Sequence, residues 1–390
     1  MTGGRPGVDG WVDLGFEAVH DAFVSNFADR GEVGAAVSVY LRGRPVVDLW
    51  GGVADATTGR RWTEDTVVPV FSSTKGVTAV GANLAIERGL LDPDAPVATY
   101  WPEFAAAGKG SITVRHVLSH QAGLPLVEGD FTLDQVLAWQ PMVEALAAQR
   151  PLWPPGSQHG YHMRTYGWLV GELLRRVSGV SPGRFLREEV ADPLQLQFWV
   201  GLPAEVEPRV ARLVPPRNSL RQALAPFGES MLLAQVFANP SGLFDYDDMW
   251  NSSELHACEL PSSNGIGDAR SLARLYASLI GDGVDGVRTL RSDTVAKATV
   301  EQVRGPDAVI VAETRFGLGF MLGTSFGAAN PHSCFGHAGA GGSLAFVDPA
   351  TGLSFGYVMN DLRFDASDPR SEALVTAARA AVEHLSGHPA

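Results

Sequence analysis

The sequence predicts an α/β (α+β) protein in which a mostly antiparallel sheet is flanked by N- and C-terminal helices and a mainly helical lobe is inserted. Three observations predict it. β-rich runs around a tight turn occupy residues 35–53. Helical stretches joined by Pro- and Gly-rich loops fill the middle of the chain. Strand signatures return after residue 300 and a last helix follows, so both ends of the chain build one lobe. The expected division is an α/β lobe from 1–90 and 300–390, and a helical lobe from 91–299.

Phe16, Val19, Phe23 and Phe27 recur at helical intervals and run out at Gly31, which predicts an amphipathic N-terminal helix. "AAVSVYLRGRPVVDLWGG" supplies a surface for it. Val37, Val39 and Leu41 alternate before Arg42-Gly43, the pattern of a hairpin. "SSTKGVTAVGANLAIERGLLD" then sets Val77, Val80 and Leu84 on one helical face, with Gly89 as a C-cap, so a helix starts at or near Ser72. In the helical lobe Thr132, Thr165 and Asp268 each stand at the head of a periodic run as capping residue types. The stretch 199–265 is long, weakly periodic and rich in Pro, Asn, Phe and Trp, as a binding loop would be. "FGLGFMLG", "GGSLAFVDP" and "GLSFGYVMN" read as strands, the last two joined by a turn around Asp348-Pro349, and Ser371 to His384 as a helix capped by its serine.

Composition excludes several functions. Thirty Lys plus Arg against 43 Asp plus Glu leave a net charge of -13, which repels polyanions, so no nucleic-acid partner is expected. No apolar stretch approaches the roughly 18 residues that a membrane span needs, and the first 20 residues lack the pattern of a signal peptide. A soluble, cytoplasmic protein is expected. Cys258 and Cys334 lack the spacing of a zinc or redox pair and are expected as small buried residues. His, Asp and Glu do not cluster at ligand spacing, so neither a metal nor a cofactor is expected.

One motif carries chemistry. Ser72 precedes Lys75 by three residues in a chain with 26 serines but only three lysines, where about 0.2 such matches would arise by chance. At that separation the two side chains share a helical face. Arginine, which the chain uses 27 times, cannot give up its proton, whereas a buried lysine can become a neutral base and activate a serine hydroxyl. The plain alternative is a serine cap followed by a solvated first-turn lysine. A rival string, "GVSPG" at 179–183, resembles a nucleophile elbow around Ser181. A helix precedes that serine where a strand is needed, and Pro182 has no N–H to offer an oxyanion, so a turn with Pro at N1 explains the string better.

Read together, "SSTK", "RHVLSHQAGL" (115–124), "PPGSQHGYHMRTYGWLVGELL", "PSSNGIGDARSLARLY" (261–276) and "FGHAGAGGSLAFVDP" (335–349) resemble the serine β-lactamase/penicillin-binding-protein superfamily. Within it they are similar to the family VIII carboxylesterases, which share the class C β-lactamase fold. The resemblance spans nearly the whole chain and implies a β-lactamase/transpeptidase-like fold with the active site between the lobes. It makes Ser72 the nucleophile and Lys75 its lysine. Counting from Pro155-Gly156 makes Tyr161 the tyrosine of the second motif, with Tyr166 left as a packing aromatic. Lysine beside Tyr161 would have to stabilise a phenolate for the phenol to pass protons.

Two positions depart from the lactamase pattern. Met163 stands where an Asn helps to hold a substrate amide, and His337-Ala338-Gly339 replaces Lys-Thr-Gly. A histidine still offers a donor and, near pKa 6.5, a partial charge. Ala340 is expected on the edge strand, its N–H completing an oxyanion hole with that of Ser72, and Gly339 is expected to let substrate approach the strand. Phe237, Phe244, Trp250 and Asn251 are expected to wall the cleft, and His116, His120 and Asn264 to be structural. The implied function is hydrolysis of short-chain carboxylic esters as small-molecule substrates. The alternatives are a β-lactamase or D-Ala-D-Ala carboxypeptidase, an acyltransferase or amidase using the same acyl-enzyme, and a penicillin-binding-like sensor that acylates without turnover.

Overall fold

The computed structural model describes residues 7–216, 231–323, 333–364 and 368–387. The chain opens with strand β1 (Val8–Val12) and helix α1 (Glu17–Asp29), then forms the hairpin β2 (Gly34–Leu41) and β3 (Arg44–Asp55). Arg42 and Gly43 turn it with φ of 51° and 80°, the positive values that match a tight hairpin to the strand twist. Strand β4 (Arg60–Arg61) pairs with β3, and β5 (Val68–Pro69) leads into α2 (Ser73–Glu87). Five helices follow: α3 (Val114–Leu118), α4 (Leu133–Leu137), α5 (Gln140–Ala148), α6 (Thr165–Ser178) and α7 (Pro182–Leu186).

Beyond them come β6 (Phe198–Trp199), α8 (Leu232–Ala238), α9 (Ser253–Ala257), β7 (Ile266–Gly267), α10 (Ala269–Ala277) and α11 (Ser292–Ala298). The last strands are β8 (Val303–Pro306), β9 (Glu313–Phe316), β10 (Met321–Leu322), β11 (Phe335–Ala338), β12 (Leu344–Asp348) and β13 (Leu353–Met359). Helix α12 (Arg370–Gly387) closes the chain.

The sheet runs β1-β3-β2-β13-β12-β11-β10-β9-β8 with every pairing antiparallel, so the first and last strands share one layer. Helices α1 and α12 pack together, and α10 packs on β2, β12 and β13. Ser354 in β13 donates to the Ala273 carbonyl of α10 at 2.6 Å, and a Cβ on Gly356 would strike the Ala269 carbonyl. A sheet covered on both faces needs apolar residues on both, which is why nearly all of β2 and β13 is buried despite the alternation in their sequences. One buried ion pair ties the two ends of the chain together. Arg370 Nη1 meets Glu32 Oε1 at 2.8 Å, and the Tyr357 hydroxyl donates to the same carboxylate. Among the described residues no helix is long and apolar enough to cross a membrane.

Several local expectations change. β1 carries no alternation that would announce it, and it forms only because β3 offers a free edge. "FGLGFMLG" is two strands, because Gly319 turns back at φ 89° and the Gly317 N–H bonds the Phe320 carbonyl. Thr132 and Asp268 cap their helices through Gln135 N and Ser271 N, but Thr165 is the first helical residue and caps nothing. Helix α12 starts at Arg370, whose N–H bonds Asp368, so Ser371 is not its cap. The 199–265 stretch contains β6, α8 and α9; its residues 217–230 lie outside the described ones. Cys334 is buried, whereas Cys258 is half-buried, its thiol donating to the Leu255 carbonyl. Ser181 caps α7 with Pro182 at N1 and donates to Glu259, so its hydroxyl is spent on structure.

Candidate active site

Ser72 sits where β5 turns into α2. The Val70 N–H bonds the Gly265 carbonyl, and Phe71 then takes φ 47°, a left-handed conformation that costs a bulky residue energy and survives only where its surroundings dictate it. Tyr246 and Trp250 supply those surroundings, packing edge-on against the Phe71 ring at 5.0 and 4.9 Å. Thr74 locks the same turn by donating to the Phe71 carbonyl while accepting from Gly265 N. Ser72 is left at the head of the helix, 8% exposed, with no partner for its own N–H among the described residues.

Lys75 follows on the next turn and is fully buried. Its Nζ stands 2.6 Å from the Met163 carbonyl, 3.0 Å from the Ser262 carbonyl and 3.2 Å from Ser72 Oγ. A neutral amine has two N–H donors and one lone pair. With both donors spent on carbonyls, the lone pair is what remains for the serine hydroxyl. Burial holds Lys75 well below the ordinary lysine range, and the nearby Arg164 cation adds to the depression. The arrangement can therefore take a proton from Ser72.

Tyr161 completes the trio. Its phenol stands beside the Ser72 hydroxyl, which acts on its proton affinity, and Lys75 Nζ lies 4.7 Å from the centre of its ring. Asp307 fixes its backbone by accepting Tyr161 N at 2.9 Å, Phe316 stacks on the ring, and His120 packs at 4.9 Å. Burial raises this phenol above its ordinary value, so it rests as a proton donor, not as a phenolate held by a lysine cation. Tyr166 lies further off, its ring centre 5.9 Å from Lys75 Nζ.

His337 belongs to β11, the strand beside α2. Its Nδ1 lies 2.7 Å from the Ala338 carbonyl and must donate to it, which leaves Nε2 unprotonated, buried and without a protein partner. Burial, with Lys75 nearby, pushes its pKa down to about 3. The expected partial charge is therefore absent, and His337 cannot capture a substrate carboxylate electrostatically. Among the described residues, pairing of β11 with β10 stops at Gly336, while pairing with β12 runs on to Ala338.

Ala340 is not on that strand. It begins a tight turn, Ala340–Gly342, just after it. The segment is nonetheless hooked to the head of α2: Ser73 Oγ lies 3.0 Å from Ser343 Oγ, Ser343 donates to the Val70 carbonyl, and a Cβ on Gly339 would collide with that same carbonyl. Only glycine permits this approach.

The wall residues divide. Phe237 packs on Tyr246 at 4.9 Å, and Tyr246 reaches Phe71. Trp250 and Phe244 are each 1% exposed; Trp250 packs directly on Phe71, and Phe244 packs on Trp250. Asn251 is committed elsewhere, because its amide accepts Leu213 N at 2.7 Å and donates to Leu213 O at 3.0 Å. His116 closes a capping box with Thr113, and Asn264 braces Leu255, Cys258 and Leu260, both structural roles. Sequence reasoning missed the carbonyls of Met163 and Ser262, the Asp307 brace and Arg164. Backbone carbonyls carry no signal in residue identity; Asp307 and Arg164 are ordinary residue types whose roles need their neighbours.

The sequence model of the Beta-lactamase family matches residues 20–379. The esterase/beta-lactamase LipL of Mycobacterium tuberculosis is 37% identical over 362 residues, covering 91% of this chain and 83% of that protein. Among solved structures, a family VIII carboxylesterase superposes with a TM-score of 0.86 at 36% identity, covering 96% of this chain and 100% of that one. A penicillin-binding protein homolog from Caulobacter crescentus gives the same TM-score of 0.86 and the same coverage at 38% identity.

Proposed function

The chain belongs to the beta-lactamase family, and on that premise we propose that it is a serine carboxylesterase, hydrolysing short-chain carboxylic esters through an acyl-enzyme on Ser72. The observation that carries the reading is the Lys75 amine, buried, held by two carbonyls and turned to Ser72 Oγ at 3.2 Å. Ser72 Oγ attacks the ester carbonyl carbon as its proton passes to Lys75. The N–H groups of Ser72 and Ala340 hold the oxyanion. Collapse of the tetrahedral adduct breaks the bond to the alcohol oxygen, which takes a proton from Tyr161, itself resupplied from Lys75. A water molecule then attacks the acyl carbon, gives a proton to the same pair, and releases the carboxylic acid and free Ser72.

Esters are favoured over lactams by two features. Met163 offers no side-chain amide to hold a lactam or peptide amide, and the uncharged His337 offers nothing to the carboxylate that such substrates carry. The matched family VIII carboxylesterase is named for ester hydrolysis alone, which supports the same choice, and LipL is named as both an esterase and a beta-lactamase. We place the enzyme in the cytoplasm, whose reducing conditions suit a pair of cysteines, Cys258 and Cys334, that form no disulfide.

The test is steady-state hydrolysis of p-nitrophenyl butyrate and of a chromogenic cephalosporin by the wild type and by Ser72→Ala. Ester turnover that vanishes in the variant, with little lactam turnover, is the expected result. Lactam turnover exceeding ester turnover would move the assignment to a β-lactamase, and a single labelling burst without turnover would make it a sensor.

A further inference from the structure

Arg164 is a buried cation with no ion-pair partner among the described residues; the Asp245 carboxylate acts on it only from beyond ion-pair distance. Its side chain is 3% exposed, its Nε has no partner, and no carboxylate lies within ion-pair distance of it among the described residues. A charge held this way is costly unless its surroundings use it. Nη1 donates to three carbonyls at the C-terminal end of α8: Phe237 at 2.7 Å, Asn239 at 3.0 Å and Val236 at 3.3 Å. The guanidinium also lies 4.2 Å from the centre of the Phe244 ring. One side chain thus fastens the segment that bears Phe237 to the segment that bears Tyr161.

The same residue stands against Lys75. Met163, its chain neighbour, and Ser262, whose hydroxyl donates to the Arg164 carbonyl at 3.0 Å, are the two residues whose carbonyls hold Lys75 Nζ. Around Lys75, among the described residues, the other titratable groups are Tyr161, Tyr166, His120, His162 and His337. Burial keeps the tyrosines protonated and the histidines unprotonated, so each of those five is neutral near pH 7. Burial lowers Arg164 itself only to about 10, and it stays charged.

We propose that Arg164 is a positioning residue with two effects, clamping the Phe237-bearing segment as a wall of the cleft behind Tyr246 and Phe71, and supplying, among the described residues, a positive charge near Lys75 that disfavours its protonation. The proposal rests on the reading of Ser72 as nucleophile and Lys75 as base. Removing the charge makes the Lys75 ammonium less unfavourable, so the acid limb of kcat/KM moves to higher pH. Weakening the clamp raises KM more than it lowers kcat, because the wall binds substrate and takes no part in bond making.

The experiment compares Arg164→Lys and Arg164→Gln with the wild type, using p-nitrophenyl butyrate from pH 5 to 9. Arg164→Gln keeps a donor for the carbonyls but no charge; its acid limb is expected to rise by roughly 0.5 to 1 unit. Arg164→Lys keeps the charge but loses the planar fork; its limb is expected to match the wild type while KM rises roughly threefold to tenfold. An unmoved limb in Arg164→Gln overturns the electrostatic half, and an unchanged KM in both variants overturns the clamp. Should Arg164→Gln not fold, Arg164→Met carries the same expectation for the limb. Labelling by a fluorophosphonate separates the two readings: a wild type not labelled at Ser72 sinks the serine-hydrolase assignment, whereas labelled variants with wild-type profiles sink only this proposal.

Discussion

Lys75 and Tyr161 face each other beside one hydroxyl group: the amine stands 3.2 Å from Ser72 Oγ and 4.7 Å from the centre of the phenol ring. In water the two groups would titrate close together, near pH 10. Burial drives them apart, lysine down and tyrosine up, which sets one as the base and the other as the acid.

Replacing Lys75 tests the base. Arginine supplies donors for Met163 and Ser262 and a fixed positive charge but has no lone pair to offer, so Lys75→Arg is expected to lose about 10³-fold or more in kcat/KM, as Lys75→Met does. Initial rates with a p-nitrophenyl ester check this. Near-normal turnover by the arginine variant would show that electrostatics, not proton abstraction, is what Lys75 supplies.

Tyr161→Phe removes the proton that the departing alcohol needs. The expected loss in kcat is roughly 10² to 10³ for an alkyl ester, whose alkoxide leaves poorly, and smaller for a p-nitrophenyl ester, whose leaving group needs no acid. Equal losses for both leaving groups would take Tyr161 out of the leaving-group step.

The buried histidines predict acid sensitivity. His162 and His337 are pushed down to about 4 and about 3, whereas in the unfolded chain they titrate near 6.5. Below about pH 6.5 the unfolded state binds protons that the native state refuses, so stability falls with pH until the folded values are reached. The loss is on the order of a few kcal/mol for each. Urea midpoints at pH 7.5, 6, 5 and 4.5 measure it, and His337→Gln is expected to flatten the slope. A midpoint constant from pH 7.5 to 5 would contradict the burial of these rings as neutral groups.

Gly76 has a packing reason to be glycine. A Cβ there would overlap the Tyr276 hydroxyl, so Gly76→Ala is expected to cost about 1 to 3 kcal/mol of stability. Adding Tyr276→Phe is expected to restore part of it, since that hydroxyl has no partner to lose among the described residues. Thermal midpoints of the two single variants and the double variant check it. Simple additivity would place the strain elsewhere.

Much of the fold was legible in the sequence because hydrophobic period and turn chemistry are local. The Arg42-Gly43 hairpin, the helix that starts at Ser72, the caps at Thr132 and Asp268 and the strands around Asp348 all appear where their residues indicate. The exceptions share one cause. β1 exists because β3 has a free edge, Thr165 is no cap because Arg164 already sits in a helical conformation, and "FGLGF" breaks at a glycine turn. Each depends on a partner distant in the chain or on a backbone angle that residue type does not dictate.

For the site, the sequence by itself determined which side chains are present and that Ser72 and Lys75 share a helical face, since a spacing of three residues sets that geometry wherever a helix forms. Only the tertiary structure decided what those groups are chemically. Charge state depends on surroundings: Lys75 is held well below the ordinary lysine range because packing buries it and sets the Arg164 cation near it, and His337 is pushed down because β11 buries it against α2. Desolvation and the direction of a lone pair belong to the packed molecule, and no local pattern of residues carries them.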